Sequence, residues 1–369
     1  MEPIEMISEA LLHADRVLLE AAAGLRLVPA VRPTNEAEEK RAFLAGKTRV
    51  PTFRYKPQRN RSYPELRSLR LPENDLGRLL EAQRLRLLKL ETVLGSGAQQ
   101  GYRQISREIY GSPHPHLFPT ALRILKRLPA APRPETTLER VKAELEHSLV
   151  RFGLTGWRVD FAPGDFTAAR ALERQVLLTS VGPVYEGTGL RLAVHEVGVH
   201  ALRAQNGFAQ PLAIFGYGLP GYERSEEGLA TYAEVLTGSS DARVIRNYAA
   251  RAIAVVGLDK GWNFRQGYEE LRALGQSDHQ AWEATLRAHR GGGFIKDHIY
   301  LDGLLEMVRF ASSGEDLSLL YMGKIGVQHL PLIQECVRTG SLRPADILPD
   351  FLSATPPPSE VWSLLKSLA

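Results

Sequence analysis

This 369-residue chain predicts a mainly helical α+β fold with a small β-sheet, on three observations. Leucines recur at intervals of three and four across residues 71–97 (LPENDLGRLLEAQRLRLLKLETVLGSG), the spacing of one buried helical face. Beyond residue 225 nearly the whole chain keeps a helical pattern until the proline run within 355–358. Two short stretches read as strands instead: TGWRVDFAPG (155–164), which alternates, and VLLTS (176–180).

Taken in order, residues 4–23 read as an amphipathic helix. Residues 36–47 read as another, with Asn35 as its N-cap. The segment 51–64, with its prolines and aromatics, is expected to be extended. The 71–97 helix should stop at Gly95 and Gly97. LPAAPRPETT (128–137) carries three prolines and favours an extended linker. It divides a mostly helical, basic region (1–135) from a second region (136–369). A helix is expected from Thr137 to about Val150, and a further helical stretch from Leu190 to about Ala204.

A hydrophobic fraction of 44% and a charged fraction of 24% are those of an ordinary globular protein with a sizeable core. The single cysteine, Cys336, excludes an intrachain disulfide framework and a cysteine-based zinc knuckle. It fits a reducing compartment, and a cytoplasmic location is expected. Acids at Glu2, Glu5 and Glu9 stand where an export signal needs basic residues. No apolar run of about eighteen residues occurs, so no membrane span is expected. Residues 1–150 carry 25 lysines and arginines against 18 acids; the remainder carries 21 against 24. A basic patch around 51–90 can hold nucleic acid or an acidic tail. A solvated Arg-rich helical surface explains the same charge, and no nucleic-acid partner is expected.

The chemistry concentrates in 195–227. HEVGVH (195–200) places two histidines five apart, where the familiar zinc-peptidase helix has H-E-x-x-H. On an ideal helix an i,i+4 pair lies about 40° apart and an i,i+5 pair about 140° apart, too far to pinch one ion. A single π-turn would bring i and i+5 onto one face. Alternatively the helix could break near Gly198, letting His200 swing in. A catalytic zinc site also needs a third protein ligand. GLPGYERSEEGLATYAEVL (218–236) supplies candidates: Ser225 resembles an N-cap, Glu226 and Glu227 follow in the first turn, and small Gly228 would let this helix approach the HEVGVH helix. Glu227 lies 27 residues after His200, which suits a helix, a loop and a second helix. Glu196, beside His195, is placed to take a proton from a metal-activated water and pass it to the leaving amine. No G-x-S-x-G elbow and no Walker A loop competes, and Cys336 has no activating context.

LAVHEVGVHALRAQNG, GLPGYERSEEGLA and GGGFIKDHIYLDG occur in that order over roughly 185–305, and together they resemble the tubulin-detyrosinating tyrosine carboxypeptidases. That family comprises the microtubule-associated tyrosine carboxypeptidases and bacterial relatives with a QEGLA motif. The resemblance implies a zinc metallopeptidase fold for 136–369, with His195, His200 and Glu227 as zinc ligands and Glu196 as base. It also implies removal of a C-terminal residue, Tyr or Phe, from a peptide or protein tail. Two departures stand out: Val199 replaces a threonine, and Glu226 replaces the QEGLA glutamine, where it could compete with Glu227 for the metal. A carboxypeptidase must also bind a terminal carboxylate. Arg290 and Lys296 are the favoured carboxylate binders and Arg203 is a further candidate. Tyr300 or His298 could stabilise the oxyanion. Phe208, Phe215, Tyr217 and Tyr222 could line a pocket for an aromatic side chain, or belong to the core. Two alternatives remain open at this point: a zinc hydrolase of other specificity (endopeptidase or aminopeptidase), and a non-catalytic binding or regulatory protein with a vestigial metal site.

Overall fold

The computed structural model describes residues 7–56, 62–96, 99–129, 133–162, 167–179 and 184–369. Helices dominate, and short strands form two small sheets, so the α+β expectation holds.

The first helix spans Glu9–Gly24, capped by the Ser8 hydroxyl, which accepts from the Leu11 N–H; residues 1–6 lie outside the described residues. It buries Leu11, Ala14, Leu18 and Ala21. The buried Asp15 carboxylate accepts the Ala213 and Ile214 N–H groups at 2.5 and 2.9 Å, which ties this helix to the loop beyond the HEVGVH stretch. Asn35 does precede a helix, Glu36–Leu44, but its side chain makes no cap. It grips the extended segment instead, donating to Thr52 O and accepting from the Arg54 N–H. Residues 51–56 form no helix and meet Pro33 through an isolated antiparallel bridge at Tyr55, 57–61 lie outside the described residues, and Pro64–Ser68 forms a short helix rather than extended chain. The leucine-rich helix runs Asp75–Ser96, straight through Gly95; Gly97 lies outside the described residues.

Thr137 caps the Leu138–Arg151 helix. β1 (Glu135–Thr136) pairs antiparallel with β5 (Val184–Tyr185). β2 (Arg158–Ala162) and β4 (Gln175–Thr179) pair in parallel, and β3 (Ala168–Arg170) adds antiparallel to the other side of β4. The two longer strands match the two stretches read as strands, 155–164 and 176–180, whereas β3 is too short to show a period. Val159, Val176 and Leu178 pack with Val141, Leu145 and Leu149 of the Leu138–Arg151 helix, and with Val197 and Ala201. The HEVGVH stretch is thereby held against the sheet, while the larger core runs from Leu11 to Leu365 around the remaining helices.

From Thr188 to Phe208 the chain is one continuous helical rod: α over Thr188–Leu192, π over Ala193–Ala201, α again over Leu202–Phe208. The Leu202 N–H reaches Val197 O, five residues back. The extra residue is therefore absorbed by a π-turn and not by a break. Gly198 is not among the glycines with positive φ. Its lack of a side chain serves packing, since a Cβ there would stand 2.9 Å from Phe351 Cε1.

The EEGLA helix spans Glu223–Leu236, so it starts two residues before Ser225. Ser225 is not its N-cap; its hydroxyl instead accepts the Val327 N–H at 3.1 Å and donates to Glu306. Gly228 does permit a close approach, but to a different helix than expected. A Cβ at 228 would collide with the Gly303 backbone of the Ile299–Ser312 helix, and one at 303 would collide with Gly228 and with Arg224 O. Neither backbone can yield without moving its helix, whereas the Phe351 ring beside Gly198 can shift. Gly228→Ala is expected to lower stability by about 2–3 kcal/mol or more. Gly198→Ala should cost under about 1 kcal/mol. Urea unfolding of the two variants beside the parent protein measures the difference.

Candidate metal centre and its surroundings

The π-turn puts His195 and His200 side by side, their ring centroids 4.8 Å apart and their planes at 72°. Glu227, on the first turns of the EEGLA helix, faces both: its Oε2 lies 3.5 Å from His195 Nε2 and 3.6 Å from His200 Nε2. These are charge contacts, too long for hydrogen bonds. Four ligands at about 2.0–2.1 Å in a tetrahedron stand roughly 3.3–3.5 Å from one another, so these separations suit three atoms around one ion. The ligand atoms of His195, His200 and Glu227 all fall within 4.8 Å of one another.

Each imidazole is held by its other nitrogen. His195 Nδ1 lies 2.8 Å from Glu234 Oε1, and His200 Nδ1 lies 2.7 Å from Glu226 Oε1. Such contacts fix ring orientation and tautomer, leaving both Nε2 atoms aimed at the same point. Glu234 is itself braced by Arg191 at 3.0 Å and by the Tyr248 hydroxyl, which donates to both carboxylate oxygens. Glu227 Oε2 is buried and has no hydrogen-bond partner among the described residues. A carboxylate oxygen left so, between two imidazole nitrogens whose far sides are occupied, is what a metal ion would satisfy. The donor set of two imidazoles and a carboxylate fits zinc with one position open.

The electrostatics favour a cation. Burial pushes the His195 pKa down, but Glu227, Glu234 and Glu196 more than offset this and raise it to about 10. Burial likewise pushes Glu227 up, yet the Lys296 charge and both histidines hold it well below the usual carboxylate range. Lys296 Nζ sits 2.9 Å from Glu227 Oε1, the oxygen turned away from the histidines.

Glu226 is not part of this candidate ligand group. It is buried on the far side of His200, bonded to Arg203, to Lys324 and to the ring it orients. That engagement removes Arg203 from the substrate-binding candidates. Arg203 is 0% exposed, and its remaining donors go to the Leu320, Gly323 and Ile325 carbonyls. The structure also places His298 elsewhere: it is buried, with Nδ1 2.7 Å from Ile295 O and Asp302 and Arg224 as its charged neighbours. Arg290 ends the Asp278–His289 helix, buried with its guanidinium over Phe294, and its charge acts on Asp297 and Tyr55. Lys296 and Tyr300, by contrast, come to the His195–His200–Glu227 cluster. The Tyr300 ring stacks with His195 at 6.5 Å and 24°, and Lys296 Nζ lies 5.6 Å from its centroid. Burial and Glu227 raise the Tyr300 pKa while Lys296 opposes them, so the phenol stays protonated at neutral pH. Glu196 is buried next to His195, and its Oε2 accepts the Ala169 N–H of β3 at 2.8 Å.

Among the aromatics, Phe215 is core and Tyr217 packs against it. Tyr222 stands among Glu223, Glu226, Arg86 and Lys296, beside the centre. Arg86, from the basic stretch, is ion-paired with Glu223, and Arg67 and Arg84 pair with Glu91 and Glu81. Much of that basic charge is thus answered within the chain. Sequence reasoning missed Glu234, Tyr248 and Tyr110, whose phenol lies near Lys296 and Glu227. Glu234 had a signal, lying seven residues after Glu227 on the same helical face. The others, from distant segments, had none. A cavity of about 820 Å³ lies elsewhere, reaching the π segment only through Ala193 and Val194 and holding none of these side chains.

Fold and site together define a mainly helical α+β protein with a buried His–His–Glu constellation able to hold a metal ion. The family model for microtubule-associated tyrosine carboxypeptidases matches residues 41–368, so the chain belongs to that family. It is 31% identical over 145 residues to microtubule-associated tyrosine carboxypeptidase 1 of Mus musculus, covering 36% of this chain and 30% of the relative. The Homo sapiens protein of the same name is 31% identical over 150 residues, covering 37% and 31%. The matched stretch thus spans about a third of the length of these relatives. Among the described residues no helix is long and apolar enough to cross a membrane.

Glu226 also yields a stability prediction. Burial pushes its carboxyl up, but Arg203, Lys324 and the His200 hydrogen bond prevail and hold it far below its ordinary value. A depressed folded pKa contributes stability above the unfolded value of about 4.3, and that stability is lost as pH falls below it. Glu226→Gln, which restores the residue of the QEGLA motif, strands two buried cations. It should cost about 3–5 kcal/mol at pH 7. Urea unfolding of metal-free protein should show that gap narrowing below about pH 4.

Proposed function

We propose that this chain is a zinc-dependent carboxypeptidase that removes a C-terminal residue, Tyr or Phe, from a peptide or protein tail. The observation that carries the reading is the buried, unbonded Glu227 Oε2 facing His195 Nε2 and His200 Nε2. Zinc held by these three residues would supply Lewis acidity, bringing the pKa of a water towards neutrality.

The chain's own groups do the rest. Glu196, held beside His195 by the Ala169 N–H, takes the proton from the attacking water and returns it to the leaving amine. The protonated Tyr300 hydroxyl donates to the oxygen on which negative charge develops. The Lys296 ammonium, against Glu227 and over the Tyr300 ring, adds positive charge on the same side. Glu234 and Glu226 keep both imidazoles turned inward. The relatives' name joins tyrosine to microtubules, so a protein tail ending in Tyr is the first substrate to try. The one cysteine, Cys336, is buried and in no intrachain disulfide, which suits a cytoplasmic setting.

The purified protein is expected to release Tyr from a peptide with a free C-terminal carboxylate and to spare the same peptide with a C-terminal amide. Glu196→Gln should slow release by about 10²–10⁴ while leaving metal content unchanged. Mass spectrometry of the digests, beside metal analysis, reads both. Equal cleavage of the amide would replace this reading with an endopeptidase.

A further inference from the structure

Arg251 is the arginine of this region that no acid answers. It lies half-buried on the Ala242–Asp259 helix, its guanidinium 5.6 Å from the Tyr300 ring centroid and 6.0 Å from that of Tyr248. Those two rings are stacked 5.5 Å apart and 6° from parallel. No hydrogen bond or ion pair to Arg251 exists among the described residues. Its neighbours are engaged: Arg191 with Glu234, Lys296 with Glu227, and Arg287 with both oxygens of Asp297. Asp297 is the acid that chiefly favours the Arg251 cation, and Arg287 claims it; desolvation and the Arg287 charge both disfavour that cation. Arg287, Arg290 and Arg251 thus all act on one acid, Asp297, and Arg251 is the partly exposed member of the three, beside two aromatic faces.

Its position relative to the metal ligands gives that charge a purpose. The Tyr300 ring stacks with His195, lies near Lys296 and meets the Arg251 guanidinium. A carboxypeptidase substrate has its terminal carboxylate one residue, about 3.8 Å of chain, beyond the bond that breaks. A group that receives it must stand about one side chain beyond the ligand residues, and between Arg251 and His195 stands the Tyr300 ring, 5.6 Å from the one and 6.5 Å from the other. We propose that Arg251 receives the terminal α-carboxylate of the substrate, with the stacked Tyr248 and Tyr300 rings setting the height of its guanidinium. A planar guanidinium matches a planar carboxylate through two parallel hydrogen bonds. The proposal rests on the carboxypeptidase reading above, and it moves carboxylate recognition away from Arg290 and Arg203.

Binding, measured without turnover, separates the proposal from the reading beneath it. In a Glu196→Gln background, fluorescence anisotropy is read for two labelled peptides of one sequence ending in Tyr, one a free acid and the other an amide. The parent should favour the acid by roughly ten- to a hundredfold. Arg251→Met should bring that ratio close to one by weakening the acid alone, and Arg251→Lys should restore part of it. The melting temperature of Arg251→Met should not fall, because the variant removes a charge that lacks a partner. An unchanged ratio in Arg251→Met overturns the proposal and leaves the carboxypeptidase reading intact. Equal loss of both peptides with a lower melting temperature assigns Arg251 a structural role and also overturns it. A parent that does not distinguish acid from amide removes the underlying reading, and the proposal with it.

Discussion

The site depends on one local departure from α-helical geometry. Two histidines five residues apart diverge on an α-helix, and the π segment Ala193–Ala201 turns them to a common point. A π segment gives up the favoured i→i−4 bonding, so neighbouring structure has to hold it. Here Val197 and Ala201 are fixed in the small core against the sheet, and Val194, Val199 and Leu202 in the large one. The helix that carries Glu227 is placed with equal firmness, by the glycine-to-glycine contact of Gly228 and Gly303.

Around that point the protein arranges charge in alternating layers. Two imidazoles and Glu227 form the inner set, and Glu226 and Glu234 grip the outer nitrogens of the imidazoles. Arg203, Lys324 and Arg191 then neutralise those outer carboxylates. Each of these buried charges has an opposite neighbour, the condition under which burying it is tolerable. Arg203 shows how this logic governs apparent candidates. Its place one turn after His200 suggested contact with a substrate, but the carboxylate at 226 requires a cation, and Arg203 supplies it.

Much of this could be read from the amino-acid sequence, and the failures have physical causes. The helices at 75–96 and 138–151 follow from leucine spacing and from Thr137, both local signals. HEVGVH, with its spacing problem and the π-turn as one solution, was legible because helical geometry is periodic. β3 was not, because its three residues are defined only by pairing with β4. Ser225 misled because its hydroxyl serves Val327, over 100 residues later. Gly228 signalled a close approach correctly but not the partner, since one sequence position cannot say which helix arrives. Lys296 and Tyr300 come to the His195–His200–Glu227 cluster while Arg290 and His298 of the same motif turn away, a division that falls across the short 3₁₀ turns at Arg290–Gly292 and Ile295–His298. Arg251 lay in no motif at all; its part emerges only from what surrounds it.

Everything proposed for this site requires that His195, His200 and Glu227 hold one metal ion together. Zinc K-edge absorption of the purified protein tests it most directly, recorded beside Glu227→Ala. The parent should hold about one zinc per chain, with two imidazole nitrogens and a carboxylate oxygen at about 2.0–2.2 Å, and the variant should lose most of it. A parent without zinc, or a zinc shell that lacks the paired imidazoles and is unchanged in Glu227→Ala, would contradict it.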